Sequence, residues 1–224
     1  MVFKEDPITG LCHEKMFVRV RKELVNSGAR DIDLSLGGKR LSPEQLLKFY
    51  EEGKEFVIID TRNWYESKIG RFKNAVTPHI ENFRDWPEYV DQITELKDKT
   101  VITYCTGGIR CEKASAVMVE KGFNDVWQLD GGIVSYLHKY PDTYWEGGMF
   151  VFDNRRVVEV NSKEELKHVA VCEHCGKPTS KYINCHNLIC DKIFVCCEDC
   201  RKEWDYSCSS ECMNSPHRRA KYYD

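Results

Sequence analysis

The sequence predicts an α/β protein in which a parallel sheet is flanked by helices and followed by a small cysteine-rich module that binds zinc. The sheet is predicted because short apolar, β-branched segments alternate with helical segments and short loops between residues 40 and 148. The module is predicted because nine of the 12 cysteines lie between Cys172 and Cys212. We therefore expect the α/β domain at residues 40–148 and the zinc-binding module at residues 149–224.

Composition and charge exclude several classes of protein. The 224 residues are 42% hydrophobic, enough for a buried core, and the net charge of −3 does not by itself indicate a nucleic-acid or membrane partner. No segment is long and apolar enough to span a membrane, and residues 1–7 lack the apolar run of a secretory signal. We expect a cytoplasmic protein whose cysteines bind metals or catalyse reactions. Residues 1–39 are expected to be the linker remnant of a missing N-terminal domain.

The predicted elements of the sheet domain alternate in the expected order. Ser42 as N-cap, Pro43 in the first turn and Gln45 at the third helical position predict the first helix. Strands are predicted at 56–60, 100–104 and 125–129, and helices at 63–69, 82–96, 112–121 and 133–139. Because reactive groups of parallel sheets gather at the carboxyl ends of strands, Asp60 and Cys105 are expected at one edge.

The loop after the strand at 100–104 predicts a nucleophile. Cys105 stands between the end of a strand and the start of a helix, where backbone N–H groups and the helix dipole favour a thiolate. Gly107 and Gly108 allow the backbone to turn its N–H groups inward, and Arg110 adds a fixed positive charge. We expect an anion-binding cradle formed by the backbone of four residues: Thr106, Gly107, Gly108 and Ile109.

The length of this loop distinguishes the anions that it could bind. Four residues separate Cys105 from Arg110, whereas cysteine-dependent phosphatases have five, so the smaller cradle suits a persulfide sulfur better than phosphate. We predict Cys105 as nucleophile and sulfur carrier, with Arg110 orienting the loop; the alternative is an unreactive core cysteine.

Cys111, in the first helical turn, is either a thiol of lowered pKa that resolves oxidised Cys105 as a disulfide, or a small residue without chemistry.

Several motifs together resemble a rhodanese domain across residues 40–148. They are Asp60-Thr61-Arg62 with Glu66, the Cys105 loop, and Leu129-Asp130-Gly131-Gly132. The segment Gly70-Arg71-Phe72-Lys73-Asn74-Ala75 departs from the usual rhodanese pattern. The string from Tyr104 to Ser115 is more specifically similar to the rhodanese-domain tRNA uridine hydroxylase family. Phe3-Lys4-Glu5 and residues 18–23 resemble the link between that family's acylphosphatase-like N-terminal domain and its rhodanese domain.

The resemblance implies a rhodanese-like fold and an oxygen-dependent enzyme that forms 5-hydroxyuridine at the tRNA wobble position. It implies tRNA as partner, molecular oxygen as co-substrate, and Cys105 as the persulfide-type active residue in a catalytic set with Asp60, Arg62, Arg110 and Cys111. The sequence contains no two-histidine-one-carboxylate iron pattern and no glycine fingerprint for flavin or nicotinamide. The redox centre is therefore either the cysteine itself or a cofactor that binds without a recognisable motif.

Cysteine spacing in the C-terminal module predicts structural zinc, with one or two ions. Without Cys196, eight thiols remain, the number that two tetrahedral four-sulfur sites require: Cys172, Cys175, Cys185, Cys190, Cys197, Cys200, Cys208 and Cys212. Spacing does not show which four share an ion, and His174 or His186 could replace a sulfur. Disulfides are the alternative, which a cytoplasmic location disfavours. Because few apolar residues separate the cysteines, we expect metal binding to supply much of the module's folding free energy.

Basic residues in two regions are candidates for RNA contact. Three are expected near the rim of the active site and two lie in a basic C-terminal segment with adjacent tyrosines: Arg71, Lys73, Arg84, Arg218 and Arg219. Trp86 is expected at the same rim as the first three. Arginine and tyrosine can bind phosphates and stack on bases, although ordinary solvated charge explains either group equally well.

Two other functions compete with tRNA hydroxylation. A sulfurtransferase would pass sulfane sulfur from a donor, which would be a further partner, through a Cys105 persulfide to a thiol acceptor. A non-catalytic, zinc-stabilised binding module would use the α/β domain only as a scaffold. Such a scaffold has no need of a reactive thiolate beside Arg110, which disfavours the last alternative.

Overall fold

A parallel sheet forms the centre of the protein. The computed structural model describes residues 10–13, 15, 18–21, 23–29, 31–160 and 167–220. The strands of this sheet are Lys39–Leu41 (β1), Val57–Asp60 (β2), Thr100–Tyr104 (β4) and Asp125–Leu129 (β5). They are ordered β1-β5-β4-β2, and each neighbouring pair is parallel. The predicted parallel α/β sheet is confirmed, with β1 as an additional strand that the sequence pattern did not predict.

Helices flank this sheet: Pro43–Glu51 (α1), Trp64–Ile69 (α2), Trp86–Gln92 (α3), Ile109–Glu120 (α4) and Gly132–Lys139 (α5). At the start of α1, Ser42 Oγ accepts from the Gln45 N–H at 3.3 Å and Gln45 Oε1 accepts from the Ser42 N–H at 2.8 Å, as predicted.

The single helix predicted at 82–96 is wrong. Pro87 lies in the first turn of α3, and short 3-10 turns replace both ends of the expected helix. Within the described chain, no helix combines the length and the apolar character that a membrane crossing needs.

Apolar side chains cover both faces of the sheet. Because side chains of a strand alternate between faces, Ile58 of β2 packs into one layer and Ile59 into the other. The first layer packs the strands against α1 and α5, and its buried members include Leu41, Leu46, Ile102, Leu129, Ile133 and Tyr136. The second packs them against α3 and α4, and its members include Val90, Val101, Ala114, Val117 and Met118. Burial on both faces is typical of a parallel sheet and holds the strand ends in fixed positions.

Short antiparallel strand pairs make up the rest of the regular structure. Gly70–Phe72 (β3) pairs with Trp145–Gly147 (β6), and Met149–Phe150 (β7) pairs with Val157–Val158 (β8). The cysteine-rich part contains the strands Tyr182–Asn184 (β9) and Ile193–Val195 (β10), followed by the helices Glu198–Glu203 (α6) and Ser210–Met213 (α7).

Aromatic and ionic contacts join the sheet domain to the cysteine-rich part. The ring of Tyr65 on α2 packs against Phe150 on β7 at a centroid distance of 5.5 Å, and Phe150 stacks on Tyr182 of β9 at 4.5 Å. Lys68 of α2 lies 3.0 Å from the Glu173 carboxylate. The domain boundaries expected at 39/40 and 148/149 stay predictions. Of the segment that resembles an interdomain link, Phe3-Lys4-Glu5 lies outside the described residues.

Candidate active site and metal clusters

The candidate active site lies where β4 ends and α4 begins. β4 ends at Tyr104, Cys105 follows, and α4 starts at Ile109. The chain turns at Gly108, whose φ of 93° lies in the left-handed region that favours glycine. This turn places the Gly108 N–H within hydrogen-bond distance of the Cys105 sulfur, to which it donates at 3.1 Å. A hydrogen bond of this kind is what the expected anion cradle requires.

The start of α5 holds the loop in this conformation. The Ile133 N–H donates to the Cys105 carbonyl at 3.0 Å, and the Val134 N–H donates to the Thr106 carbonyl at 3.1 Å. This close approach requires glycine at position 132, where a Cβ atom would lie 2.4 Å from the Cys105 carbonyl oxygen. Because α5 binds the loop carbonyls, the loop can direct its N–H groups towards the sulfur.

The surroundings of the Cys105 sulfur favour its thiolate. The Cys111 thiol, as a hydrogen-bond donor, lowers the pKa of Cys105 and has the largest effect. Burial raises this pKa, whereas the Arg110 charge and backbone N–H groups lower it further. Together these groups lower the pKa of Cys105 to about 6. Since the residue is only 2% exposed, protein groups rather than water stabilise the charge. The ionised sulfur is the form that acts as a nucleophile.

Cys111 differs from the expectation for a helix start. Burial and the hydrogen bond to Cys105 raise the pKa of the Cys111 thiol well above its usual range, so the expected lowering is wrong. A second negative charge next to the Cys105 thiolate is unfavourable in a site removed from water. Cys111 Sγ also lies 3.8 Å from Thr61 Oγ1. At neutral pH, Cys111 is therefore a thiol that donates to its ionised neighbour.

A buried carboxylate fixes Arg110 beside this thiolate. Arg110 donates from both terminal nitrogens to the Glu66 carboxylate, at 2.6 and 2.8 Å, and Glu66 is 0% exposed on α2. Burial disfavours the guanidinium charge, but the Glu66 carboxylate outweighs burial and raises the pKa of Arg110 above its usual value. The two-pronged contact also fixes the guanidinium plane. Glu66 belongs to a motif quoted above, but nothing in the sequence pairs it with a residue 44 positions away.

Asp60 and Arg62 form a second, fully buried ion pair. Arg62 Nη2 donates to Asp60 Oδ2 at 2.6 Å and to the Gly70 carbonyl at 2.6 Å. Both side chains are 0% exposed, and neither lines the cleft at Cys105. In the described part of the chain, their contacts link the end of β2 to the start of β3. This placement favours a positioning role over the catalytic role expected from the resemblance.

An apolar cleft of about 360 Å³ opens at Cys105. Its apolar lining residues come from distant parts of the chain: Val25, Phe83, Ile109 and Phe152. Ile109 and Phe152 are 48% and 64% exposed, so both form an open rim. No sequence signal predicts these residues, because an exposed apolar side chain is unremarkable until a reactive group is known to lie beside it.

The residues expected at the rim of the site are not gathered there. Arg71 lies on β3, Lys73 and Arg84 are exposed, and none of the three lines the cleft. Trp86 is 0% exposed and its Nε1 donates to the Ala114 carbonyl at 3.1 Å, so its expected place at the rim is wrong. RNA contact by the three cationic residues stays a prediction.

Arg218 and Arg219 make contacts within the cysteine-rich module. Arg218 donates to the Cys212 carbonyl at 3.1 Å and to the Asp205 carboxylate at 2.6 Å. Arg219 forms an ion pair with Asp191, and the two arginine side chains are 18% and 19% exposed. These contacts stabilise the module, and RNA contact by either residue stays a prediction.

The cysteines of the module form two clusters that could hold metal ions. One consists of Cys172, Cys175, Cys197 and Cys200, and the other of Cys185, Cys190, Cys208 and Cys212. Within each cluster the sulfur atoms lie within 4.8 Å of one another, and the pairs Cys175–Cys197 and Cys190–Cys208 are 3.7 Å apart. A tetrahedron with metal–sulfur bonds of about 2.3 Å has edges of about 3.8 Å. Both clusters are therefore compatible with zinc.

The two ligand sets alternate along the chain. The first and third cysteine pairs form one cluster, and the second and fourth form the other, a pairing that spacing left open. Neither His174 nor His186 belongs to a cluster; His174 Nε2 contacts the Ser207 carbonyl at 3.0 Å. Cys196, omitted from the predicted ligands, is fully buried and lies outside both clusters.

We expect Cys105 to react with alkylating reagents at a lower pH than an ordinary cysteine. Since iodoacetamide modifies the thiolate, the rate of Cys105 modification, followed by peptide mass spectrometry, should rise through a midpoint near pH 6. Cys111→Ala removes the donated hydrogen bond and should move the midpoint towards about 8.5, the usual cysteine value. Cys111→Ser keeps a donor and should move it less. An unchanged midpoint in Cys111→Ala would contradict the role of Cys111.

We expect two metal ions per chain, one for each cluster. Cys197→Ser removes a ligand of the first cluster and should lower the metal content to about one ion per chain by elemental analysis. Cys196→Ser changes the adjacent cysteine, which lies outside both clusters, and should retain both ions. Equal metal contents in the two variants would show that the clusters are wrongly assigned.

Family models match both parts of the chain. The rhodanese-like domain model matches residues 42–139, and the rhodanase C-terminal model matches residues 146–213. Among solved structures, a rhodanese-like domain from Anabaena sp. is 22% identical, covers 58% of this chain and 94% of its own, and gives a TM-score of 0.42.

Curated relatives match nearly the whole chain. A protein of Chlamydia caviae is 42% identical over 92% of this chain and 63% of its own length. Proteins of Cytophaga hutchinsonii and Onion yellows phytoplasma are 41% and 43% identical over 97% of this chain, and 69% and 72% of their own lengths. The chain thus spans about two thirds of the length of these relatives, each of which is named tRNA uridine(34) hydroxylase. The chain belongs to this family, which is built on a rhodanese-like domain.

Proposed function

We propose that this chain carries the active site of an enzyme that hydroxylates uridine 34 of tRNA at carbon 5, with molecular oxygen as co-substrate. The observation that carries the proposal is the apolar cleft at the Cys105 thiolate in a chain of this family. A pyrimidine base is flat and has apolar faces, so an apolar rim with an exposed phenylalanine suits it. A small inorganic anion gains nothing from such a rim.

Each residue of the site has a distinct part in this proposal. Cys105 is the nucleophile, and the backbone from Thr106 to Ile109 surrounds its charge. Arg110, held by Glu66, places a positive charge next to the sulfur. Asp60 and Arg62 position the adjacent strand ends and do not touch the substrate.

Hydroxylation by oxygen also needs two electrons. One oxygen atom enters the base, and reduction of the other to water consumes two electrons and two protons. Oxidation of the Cys105 thiolate and the Cys111 thiol to a disulfide releases two electrons and one proton. The second proton comes from solvent, so this pair balances the reaction without a further cofactor. Each of the two cysteines shifts the pKa of the other, Cys105 downwards and Cys111 upwards, and this coupling supports the assignment. A cellular thiol must then reduce the disulfide before the next turnover.

Sulfur transfer is the second candidate, and one observation favours it. The Gly108 N–H donates to the Cys105 sulfur at 3.1 Å, and a short loop with inward N–H groups would equally stabilise a persulfide. In that case Cys105 would take sulfane sulfur from a donor and pass it to a thiol acceptor. The non-catalytic alternative is weaker, because a scaffold gains no stability from a buried thiolate.

The remaining assignments follow from these. We propose zinc at both cysteine clusters, in a structural role, because four thiolates leave no open coordination position. We propose tRNA as the partner, which places the protein in the cytoplasm. We also propose the division of the chain into a linker at residues 1–39, a rhodanese domain at 40–148 and a zinc-binding module at 149–224.

Wobble-uridine analysis tests the proposed function. In cells that lack their own uridine(34) hydroxylase, expression of this protein should yield 5-hydroxyuridine in tRNA, measured by nucleoside mass spectrometry. Cys105→Ser should abolish the product because it removes the nucleophile, whereas Cys12→Ser, outside the cleft, should not. If Cys105→Ser retains hydroxylation but loses thiosulfate:cyanide sulfurtransferase activity, sulfur transfer is the function.

Substitutions of Phe152 should affect tRNA hydroxylation and sulfur transfer differently. If its exposed ring stacks on the substrate base, Phe152→Ala should lower kcat/KM for tRNA by about 5- to 150-fold, since a stacked base contributes about 1–3 kcal/mol. Phe152→Trp keeps a stacking surface and is the matched control. Thiosulfate:cyanide activity should be the same in both variants. A parallel loss of both activities in Phe152→Ala would indicate that the residue only maintains the fold.

A further inference from the structure

A second cavity lies between the β8 strand and the cysteine-rich module. Its volume is about 420 Å³, and it shares no lining residue with the cleft at Cys105. Among the described residues, its lining includes a single carboxylate, Glu159, against four cationic side chains: Arg155, Arg156, Lys181 and Arg201. Two of the four, Arg155 and Lys181, form ion pairs with carboxylates outside the lining, those of Asp153 and Glu198.

Arg201 carries a charge that no carboxylate balances within ion-pair distance in the described part of the chain. Its Nε donates to the Cys196 carbonyl at 3.2 Å, and its Nη2 donates to the Tyr182 carbonyl at 3.1 Å. These neutral acceptors fix the guanidinium at the cavity without neutralising it. A partly buried cation in this state favours an anionic ligand, because the ligand replaces the stabilisation lost with water.

The turn between β7 and β8 brings two more arginines to the cavity. Asp153 orients Arg155, accepting from its Nε at 3.0 Å and from its Nη2 at 2.7 Å. Arg156 has a φ of 60°, in the left-handed region that residues other than glycine rarely adopt. Such backbone strain persists where the surrounding structure or a function requires it. Here it accompanies an arginine that lines a cationic cavity.

Two hydroxyl groups line the cavity beside its cationic side chains. Thr179 and Ser180 line the cavity and are 7% and 5% exposed. Ser180 Oγ lies 2.8 Å from His168 Nδ1, which orients the hydroxyl. Guanidinium groups and hydroxyls together match the several acceptor oxygens of a phosphate group. The chemistry of the lining therefore favours an anion with several acceptor oxygens, such as a phosphate, over an apolar ligand.

A row of aromatic rings connects this cavity to the active-site cleft. Phe152, at the rim of the cleft, packs edge-on against Phe150 at a centroid distance of 5.0 Å. Phe150 stacks on Tyr182 at 4.5 Å, and Tyr182 lines the second cavity. The two sites are thus two ring contacts apart, a span that a nucleotide chain can bridge.

We propose that this cavity binds a backbone phosphate of the tRNA next to the nucleotide held at Cys105. The choice of RNA rests on the proposed function, whereas the phosphate site itself does not depend on hydroxylation. Phosphate contacts supply affinity and position but no sequence information. The cavity therefore anchors the strand, while the cleft holds the reacting base.

Salt-dependent tRNA binding tests this proposal. The dissociation constant for unmodified tRNA is measured between 50 and 300 mM salt for the wild type and for Arg156→Gln, Lys181→Gln and Lys177→Gln. Lys177 is the matched control: it pairs with Asp199 of α6 as Lys181 pairs with Glu198, but it does not line the cavity. Metal content and thermal unfolding of each variant confirm that the module is intact.

We expect Arg156→Gln and Lys181→Gln each to weaken tRNA binding by about three- to tenfold and to reduce the slope of log K against log salt concentration by about 0.7–0.9. Lys177→Gln should change neither quantity. Unchanged affinity and slope in both cavity variants would overturn the RNA assignment. If inorganic phosphate or pyrophosphate nevertheless stabilises the wild type and not these variants, the cavity binds a small phosphate compound instead. Because binding is measured without turnover, absence of hydroxylation activity would not affect this result.

Discussion

The stabilisation of a negative sulfur atom away from water is the constraint on which the rest of the site depends. The Gly108 N–H donates to the Cys105 sulfur, and the Cys111 thiol and the Arg110 charge lower the pKa of Cys105. Each contribution requires a different element. α4 has to begin where the loop ends, α5 has to bind the loop carbonyls, and α2 has to supply the carboxylate that fixes the arginine. The parallel sheet meets these requirements because it brings the end of β4 to the edge where the helices start.

Alternating charges extend from the sulfur into the interior. The thiolate is balanced by Arg110, Arg110 by Glu66, and the neighbouring Asp60 by Arg62. A buried charge is tolerable only when a partner of opposite sign accompanies it, and each of these side chains has such a partner. The same principle keeps Cys111 protonated, because a second anion at this place would have no partner. The two thiols are thus unequal, as the proposed roles of nucleophile and redox partner require.

The cysteine-rich module contributes to the surroundings of the site as well as to its own fold. Its two cysteine clusters alternate along the chain, so metal binding at both would tie residues 172–212 into one unit. This unit supports Tyr182, on which Phe150 stacks, and Phe150 in turn packs against Phe152 at the rim of the cleft. These ring contacts connect the cationic cavity, which Tyr182 lines, to the cleft, which Phe152 lines.

Local patterns in the sequence determined the main elements and the identity of the reactive groups. The strands Thr100–Tyr104 and Asp125–Leu129 are signals contained within a few neighbouring residues, and both are found as predicted. The eight predicted thiols form two clusters that could hold metal ions. Only the tertiary structure decided which groups meet: Glu66 with Arg110 across 44 positions, the alternating cysteine pairs, the Phe152 rim and the cationic cavity. It also reversed the expected pKa shift of Cys111, because burial and a neighbouring thiolate outweigh the helix start. The physical reason is that periodicity and turn chemistry act between adjacent residues, whereas charge, burial and metal geometry depend on distances that exist only after folding.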